Sequence, residues 1–185
     1  MKDFTRDNLL LSLCGLNCGL CPMRLGGHCP GCGGGEGNQS CKIAKCSMSR
    51  DTVRYCYECG DYPCEKYEAI DEFDSFITHR NRRKDLLKAK EKGMDFYVAE
   101  QEEKVRLLQY LLENYNDGRH KNFFCVAVNL MELRDIREIV EKAETLTGAE
   151  GFTLKEKAAC IVKLFKDYAE GQGIEIRLIR KPGKK

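Results

Sequence analysis

The alternation of apolar and polar positions changes character part-way along the chain. From Met94 to Tyr115, apolar residues recur at positions 94, 98, 105, 108, 112 and 115, the stripe of an amphipathic helix. Asn116-Asp117-Gly118 is a turn signal. Val126, Leu130, Leu133, Val140 and Ala143 mark the next helix, ending before Gly148. Thr153-Leu154-Lys155-Glu156 has the form of a capping box. It opens a helix with Leu154, Ala158, Ile161, Phe165 and Tyr168 on one face, stopped by Gly171 and Gly173. Upstream, residues 65–78 read as a helix following the stop at Pro63-Cys64, and 82–91 as a short one ended by Gly93. Past Gly173, Ile174, Ile176 and Leu178 alternate with charged or polar neighbours, which predicts one short strand. The basic residues from Arg180 to Lys185 read as a frayed tail, and no internal repeat is visible in the helical half.

Residues 1–64 lack that periodicity, and composition explains why. Of these 64 positions 13 are charged, against 47 of the following 121, while Gly15, Gly19, Gly26, Gly27, Gly31, Gly33, Gly34, Gly35, Gly37 and Gly60 all fall in the first part. A stretch rich in Gly and poor in large apolar residues buries little core, so bound metal is expected to supply folding free energy there. The expected organisation is therefore a Cys-rich metal-bound module of hairpins and loops over 1–64. A mainly α-helical domain with one short terminal strand follows over 65–185, an α+β protein overall.

Ten of the twelve cysteines lie between Cys14 and Cys64. The longest apolar run near the start, Leu9 to Leu13, is short and preceded by Asp3 and Asp7, unlike a signal peptide. No run approaches the roughly 18 apolar residues a membrane span needs. A reducing, cytoplasmic setting is expected, and in it such a cysteine density points to metal rather than to disulfides. The order is Cys14-x3-Cys18-x2-Cys21-x7-Cys29-x2-Cys32-x8-Cys41-x4-Cys46-x9-Cys56-x2-Cys59-x4-Cys64. A C-x2-C turn lets two thiolates reach one metal while backbone N–H groups donate to the sulfurs. Gly31 and Gly33 suit the tight backbone of the Cys29/Cys32 turn. All ten cysteines are candidate ligands. Zinc, about two ions at four thiolates each, is the first reading, with His28 a possible substitute ligand. An iron–sulfur cluster is the alternative. The first three cysteines have radical-SAM spacing, but no strand–helix alternation follows them.

Cys14-Gly15-Leu16-Asn17-Cys18-Gly19-Leu20-Cys21-Pro22, Cys29-Pro30-Gly31-Cys32, Cys41, Cys46 and Cys56-Tyr57-Glu58-Cys59-Gly60-Asp61-Tyr62-Pro63-Cys64 together resemble the cysteine-rich family catalogued as domain of unknown function 3795. The resemblance covers about residues 10–68, with no departure in the ten cysteines. It continues through Asn116-Asp117-Gly118-Arg119 and Phe123-Phe124-Cys125, similar to a segment of some longer members. It implies zinc binding and carries no activity.

Other features narrow the functional classes. Cys125 and Cys160 sit among apolar neighbours and read as small core residues, although the cations of Gly118-Arg119-His120-Lys121 could activate Cys125. The run His79-Arg80-Asn81-Arg82-Arg83-Lys84 and the cations Arg177, Arg180, Lys181, Lys184 and Lys185 invite a nucleic-acid reading, but net charge is only +2. Tyr55, Tyr57, Tyr62 and Tyr67 read as packing around the metal rather than as base-stacking platforms. His28, His79 and His120 lie in separate contexts, and no Ser–His–Asp pattern, phosphate-cradling loop or HExxH occurs. Gly33-Gly34-Gly35-Glu36-Gly37 reads as a loop between ligands. The expected role is structural metal binding that supports recognition of a protein or nucleic-acid partner, with no membrane partner and no assigned catalytic residue.

Overall fold

The computed structural model describes residues 3–35, 40–50, 53–148 and 151–182. Among these it forms seven α-helices: α1 Pro22–Leu25, α2 Lys42–Met48, α3 Arg82–Lys92, α4 Met94–Asn114, α5 Lys121–Leu130, α6 Leu133–Thr147 and α7 Leu154–Gly171. Single 3-10 turns lie at Cys18–Leu20, Cys56–Glu58 and Glu65–Tyr67. The only extended pairing among the described residues is one antiparallel bridge between Thr5 and Gly34. The α+β expectation is therefore overturned: the protein is mainly helical, and the described residues form no sheet. The expected hairpins of the Cys-rich part are replaced by α1, α2 and the 3-10 turns.

The expected strand at Ile174, Ile176 and Leu178 has no partner to form a ladder with, so its alternation makes no sheet. The tail is pinned instead at Ile179, whose carbonyl accepts the Asp74 N–H at 2.8 Å and whose own N–H donates to the Asp74 carboxylate at 2.8 Å. Arg180 donates to the Ser75 carbonyl at 3.1 Å, and Lys181 lies over the Phe73 ring. Docking thus replaces fraying at Arg180 and Lys181, while Lys184 and Lys185 fall outside the described residues.

Chain packing forms two compact units, Met1–Glu102 with Leu178–Lys185, and Glu103–Arg177. In the first, Phe4, Leu11, Leu13, Ile43 and Tyr67 form a core with Leu86 and Ala89 of α3 and Tyr97 of α4. The Cys-rich stretch is poor in large apolar side chains, and α3 and α4 supply the missing ones. Asn17, 2% exposed, bridges this core: it donates to Asp85 at 2.8 Å and accepts from the Tyr97 phenol at 2.8 Å. Gly15 takes a φ of +96°, and a Cβ there would lie 2.4 Å from the Arg82 carbonyl, so only glycine allows α3 this close.

The helix expected over 65–78 shrinks to one 3-10 turn. Ala69 turns left-handed at φ +53°, and the Asp74 carboxylate takes the His79 N–H at 2.6 Å. Short polar side chains that bond nearby backbone compete with the helical ladder in this way. The expected helix at 82–91 forms as α3 and ends at Gly93 with φ +91°.

The described residues of the second unit are helices joined by short turns. One helix was expected from Val126 to Ala143; the chain breaks at Met131 into α5 and α6. The Met131 carbonyl, released from the helical ladder, accepts from the buried Lys104 ammonium at 2.6 Å. The buried positions of α4 are Tyr97, Gln101, Lys104, Leu108 and Leu111, with Tyr115 just past its end, a rotated version of the expected stripe that two polar residues conceal. Thr153 and Glu156 form the expected reciprocal cap of α7. Ala158, Ile161 and Phe165 are buried below it, whereas Leu154 is exposed. Phe123, Phe124 and Phe165 meet edge-to-face, with centroids 5.7–6.2 Å apart.

Two outcomes follow for stability. Tyr97→Phe leaves the buried Asn17 oxygen without its donor and should cost about 1–2 kcal/mol in urea denaturation of the metal-loaded protein. Phe165→Ala should cost about 3–5 kcal/mol while leaving metal content per chain unchanged.

Candidate metal centre

All twelve cysteines are described, and none is in a disulfide. Short turns present them. Cys18 opens a 3-10 turn that Cys21 closes, with its N–H on the Cys18 carbonyl at 3.2 Å. Cys56 and Cys59 repeat that arrangement at 3.1 Å. Glu58 braces the second turn by accepting the Tyr55 N–H at 2.9 Å and the Arg54 N–H at 2.6 Å. Cys41 precedes α2 and Cys46 lies on it; Cys64 precedes the Glu65–Tyr67 turn. Gly31 and Gly33 both take positive φ, as the Cys29/Cys32 turn was expected to need.

The ligand candidates fall into two neighbourhoods. Cys46, Cys56, Cys59 and Cys64 line one cavity of about 30 Å³, walled by Leu13, Ile43, Val53, Tyr62 and Tyr67. Around Cys18 the thiols of Cys14, Cys21 and Cys32 lie close enough to disfavour its charge, and Cys32 responds likewise to Cys14 and Cys41. Cys14 belongs to the surroundings of Cys56 as well. Cys29 is half-buried beside the Cys32 turn, and His28 is exposed. As placed, no three His, Cys, Asp or Glu side chains among the described residues stand close enough together to hold a metal ion. The neighbourhoods are therefore sets of thiols near one another, and a metal ion bound there would require the sulfurs to move inward.

Several sulfurs have donors aimed at them. The Cys32 backbone N–H donates to Cys18, and the Leu13 N–H to Cys32. The Tyr67 phenol donates to the Cys14 carbonyl at 3.3 Å and lies near enough to Cys56 to favour its thiolate. Arg50 donates to Cys59 Sγ at 2.9 Å and to Asp61 at 2.7 Å. Ser12 Oγ lies 3.2 Å from Cys14 Sγ. A neutral thiol is a weak acceptor, so donors on four or more sulfurs suit thiolates. Burial nevertheless pushes the Cys18 and Cys56 thiols up to about 12 and raises Cys32 as well. Without a cation these groups stay protonated at neutral pH; a bound dication reverses that balance.

The remaining candidates have structural surroundings. Cys125 is 3% exposed on α5, and Cys160 is half-buried on α7. Much of the basic run serves the fold. Arg82, 2% exposed in its side chain, pairs with Asp71 at 3.2 Å. Arg83 also pairs with Asp71 and donates to the Tyr67 carbonyl at 3.1 Å. His79 bonds the Ile70 carbonyl at 3.1 Å. Tyr55 stacks on Tyr57 at 5.8 Å, and Arg6 covers the Tyr55 ring at 4.7 Å. Glu36 and Gly37 of the glycine-rich loop lie outside the described residues. The sequence analysis did not single out Arg50, Ser12 or Tyr67 as sulfur donors, because their partners are set by folding; only the position of Arg50 between Cys46 and Cys56 hinted at it.

No helix among the described residues is long and apolar enough to cross a membrane. The chain matches no family model, no curated protein and no solved structure.

Metal uptake at pH 7 should release about one proton for each cysteine bound, and affinity should fall as pH is lowered, because the buried thiols start protonated. An indicator dye in weak buffer reads the released protons; uptake without proton release would contradict thiol ligation. Cys18→Ser should lower metal content, whereas Cys160→Ser should leave it unchanged.

Proposed function

We propose that the protein is a cytoplasmic structural metal-binding protein of the kind its cysteine spacing resembles, domain of unknown function 3795. Its Cys14–Cys64 segment takes about two zinc ions as thiolate complexes, and the stapled segment supports recognition of a partner. The observation that carries this reading is the set of donors directed at Cys18, Cys32, Cys56 and Cys59. Such donors match the outer shell of a metal–thiolate complex, where they spread the negative charge of the sulfurs. Zinc with four thiolates has no position open to water, which fits a chain without a catalytic constellation.

An iron–sulfur cluster is the competing occupant. Protein purified anaerobically and analysed for metal separates the two. A colourless protein with about two zinc ions per chain is the expected result. A brown protein with iron and acid-labile sulfide would replace zinc with a cluster and make the protein a redox or accessory unit.

For the partner, a protein is favoured over nucleic acid, because Arg82 and Arg83 in the basic run are already engaged with Asp71. Binding to mixed-sequence DNA and RNA across a salt series should give no salt-dependent affinity; a steep decline with salt would restore the nucleic-acid reading.

A further inference from the structure

Among the ten cysteines, Cys46, Cys56, Cys59 and Cys64 share one cavity. We infer that these four hold a single metal ion as one closed four-thiolate site, independent of the ligands drawn from Cys14 to Cys41, and that Arg50 is its charge-balancing partner. The inference rests on the metal-binding reading above and specifies which thiols act together.

Four observations converge on it. Among the described residues the cavity is lined by four cysteines and by no carboxylate, imidazole or further thiol. Four thiolates are the number that closes a tetrahedral zinc site. The cysteines come from three separate local structures, namely α2, the Cys56–Glu58 turn with its cap, and the start of the Glu65–Tyr67 turn. One ion would therefore tie three pieces of chain together. That is a use for metal where local structure is only a turn or two long.

The cavity, about 30 Å³, has room for a lone ion. A dication with four thiolates carries two negative charges, and the cavity lining contains two cations, Arg50 and Lys66, themselves paired with Asp61 and Glu65. Arg50 is committed to the site in detail: one guanidinium nitrogen contacts Cys59 Sγ at 2.9 Å while another is held by Asp61 at 2.7 Å. Asp61 thereby orients the guanidinium on the sulfur. Arg50 is a positioning residue here, acting through Cys59 rather than on the metal.

The test uses full-length protein loaded with zinc, with metal content measured on Cys46→Ser, Cys64→Ser, the Cys46→Ser/Cys64→Ser double variant and a Cys18→Ser/Cys46→Ser double variant. Each single variant should lose about one zinc ion per chain, and the Cys46/Cys64 double no more than either single. The Cys18/Cys46 double should lose about two. Additive losses in the Cys46/Cys64 double, or unchanged zinc in either single, would overturn the grouping. A wild-type protein that binds no metal would overturn the underlying metal reading instead.

Variants that do not fold are bypassed by wild-type protein titrated with a chelator and alkylated in steps. Cys46, Cys56, Cys59 and Cys64 should become reactive as one set, separately from Cys18 and Cys32. Scattered or simultaneous reactivity of all six would count against the site. Arg50→Gln should keep the zinc stoichiometry and weaken affinity about 10- to 100-fold in competition with a chromophoric chelator, with Arg50→Lys recovering part of the loss. Equal affinity in Arg50→Gln and wild type would remove Arg50 from the site.

Discussion

Cys18 and Cys56 lie where burial holds a thiol protonated to about pH 12, yet each has a hydrogen-bond donor beside it that a neutral sulfur hardly rewards. This conflict between desolvation and donor geometry is the constraint on which the Cys-rich segment depends. A buried thiol with other thiols beside it cannot ionise by itself, because burial and its neighbours both oppose the charge. A dication changes the sign of that interaction for every sulfur at once. On the proposed metal reading, the turns around Cys18 and Cys32 and those around Cys56 and Cys59 would each belong to a charged metal–thiolate complex rather than carry separate free thiols.

The segment does not stand by itself. Its apolar content is small, and the core around Leu11, Leu13 and Tyr67 is completed by Leu86, Ala89 and Tyr97. Asn17 makes the connection specific, since one side chain joins Asp85 to Tyr97 between two of the ligand candidates. Gly15 permits the approach, and the carbonyl of Arg82 occupies the space a side chain would need. The spacer residues of the Cys14–Cys18 stretch therefore carry packing, while its cysteines face the thiol neighbourhood.

Legibility in the sequence followed the range of the interactions. The α7 cap could be read because Thr153 and Glu156 are three residues apart, and the stop of α3 because Gly93 is adjacent. The α4 face was misplaced because Gln101 and Lys104 occupy buried positions, so a stripe drawn from apolar residues alone was rotated. The break at Met131 could not be read, since what replaces the lost helical bond is Lys104, far away in sequence. The tail failed for a related reason. Alternation at Ile174, Ile176 and Leu178 describes a strand only if another strand pairs with it, and the backbone partner it found was Asp74.

The sequence by itself determined the number of thiols, their placement in tight turns and those helix ends that adjacent residues set, the Thr153–Glu156 cap and the stop at Gly93. All of these depend on residues within a turn of one another. Which thiols share a cavity, which donor reaches which sulfur and where the tail is held were decided by tertiary structure. The reason is that Cys46 and Cys64, or Asp74 and Ile179, become neighbours only after the intervening chain has found its path. Burial then assigns each sulfur its electrostatic surroundings, and spacing along the chain carries no measure of that.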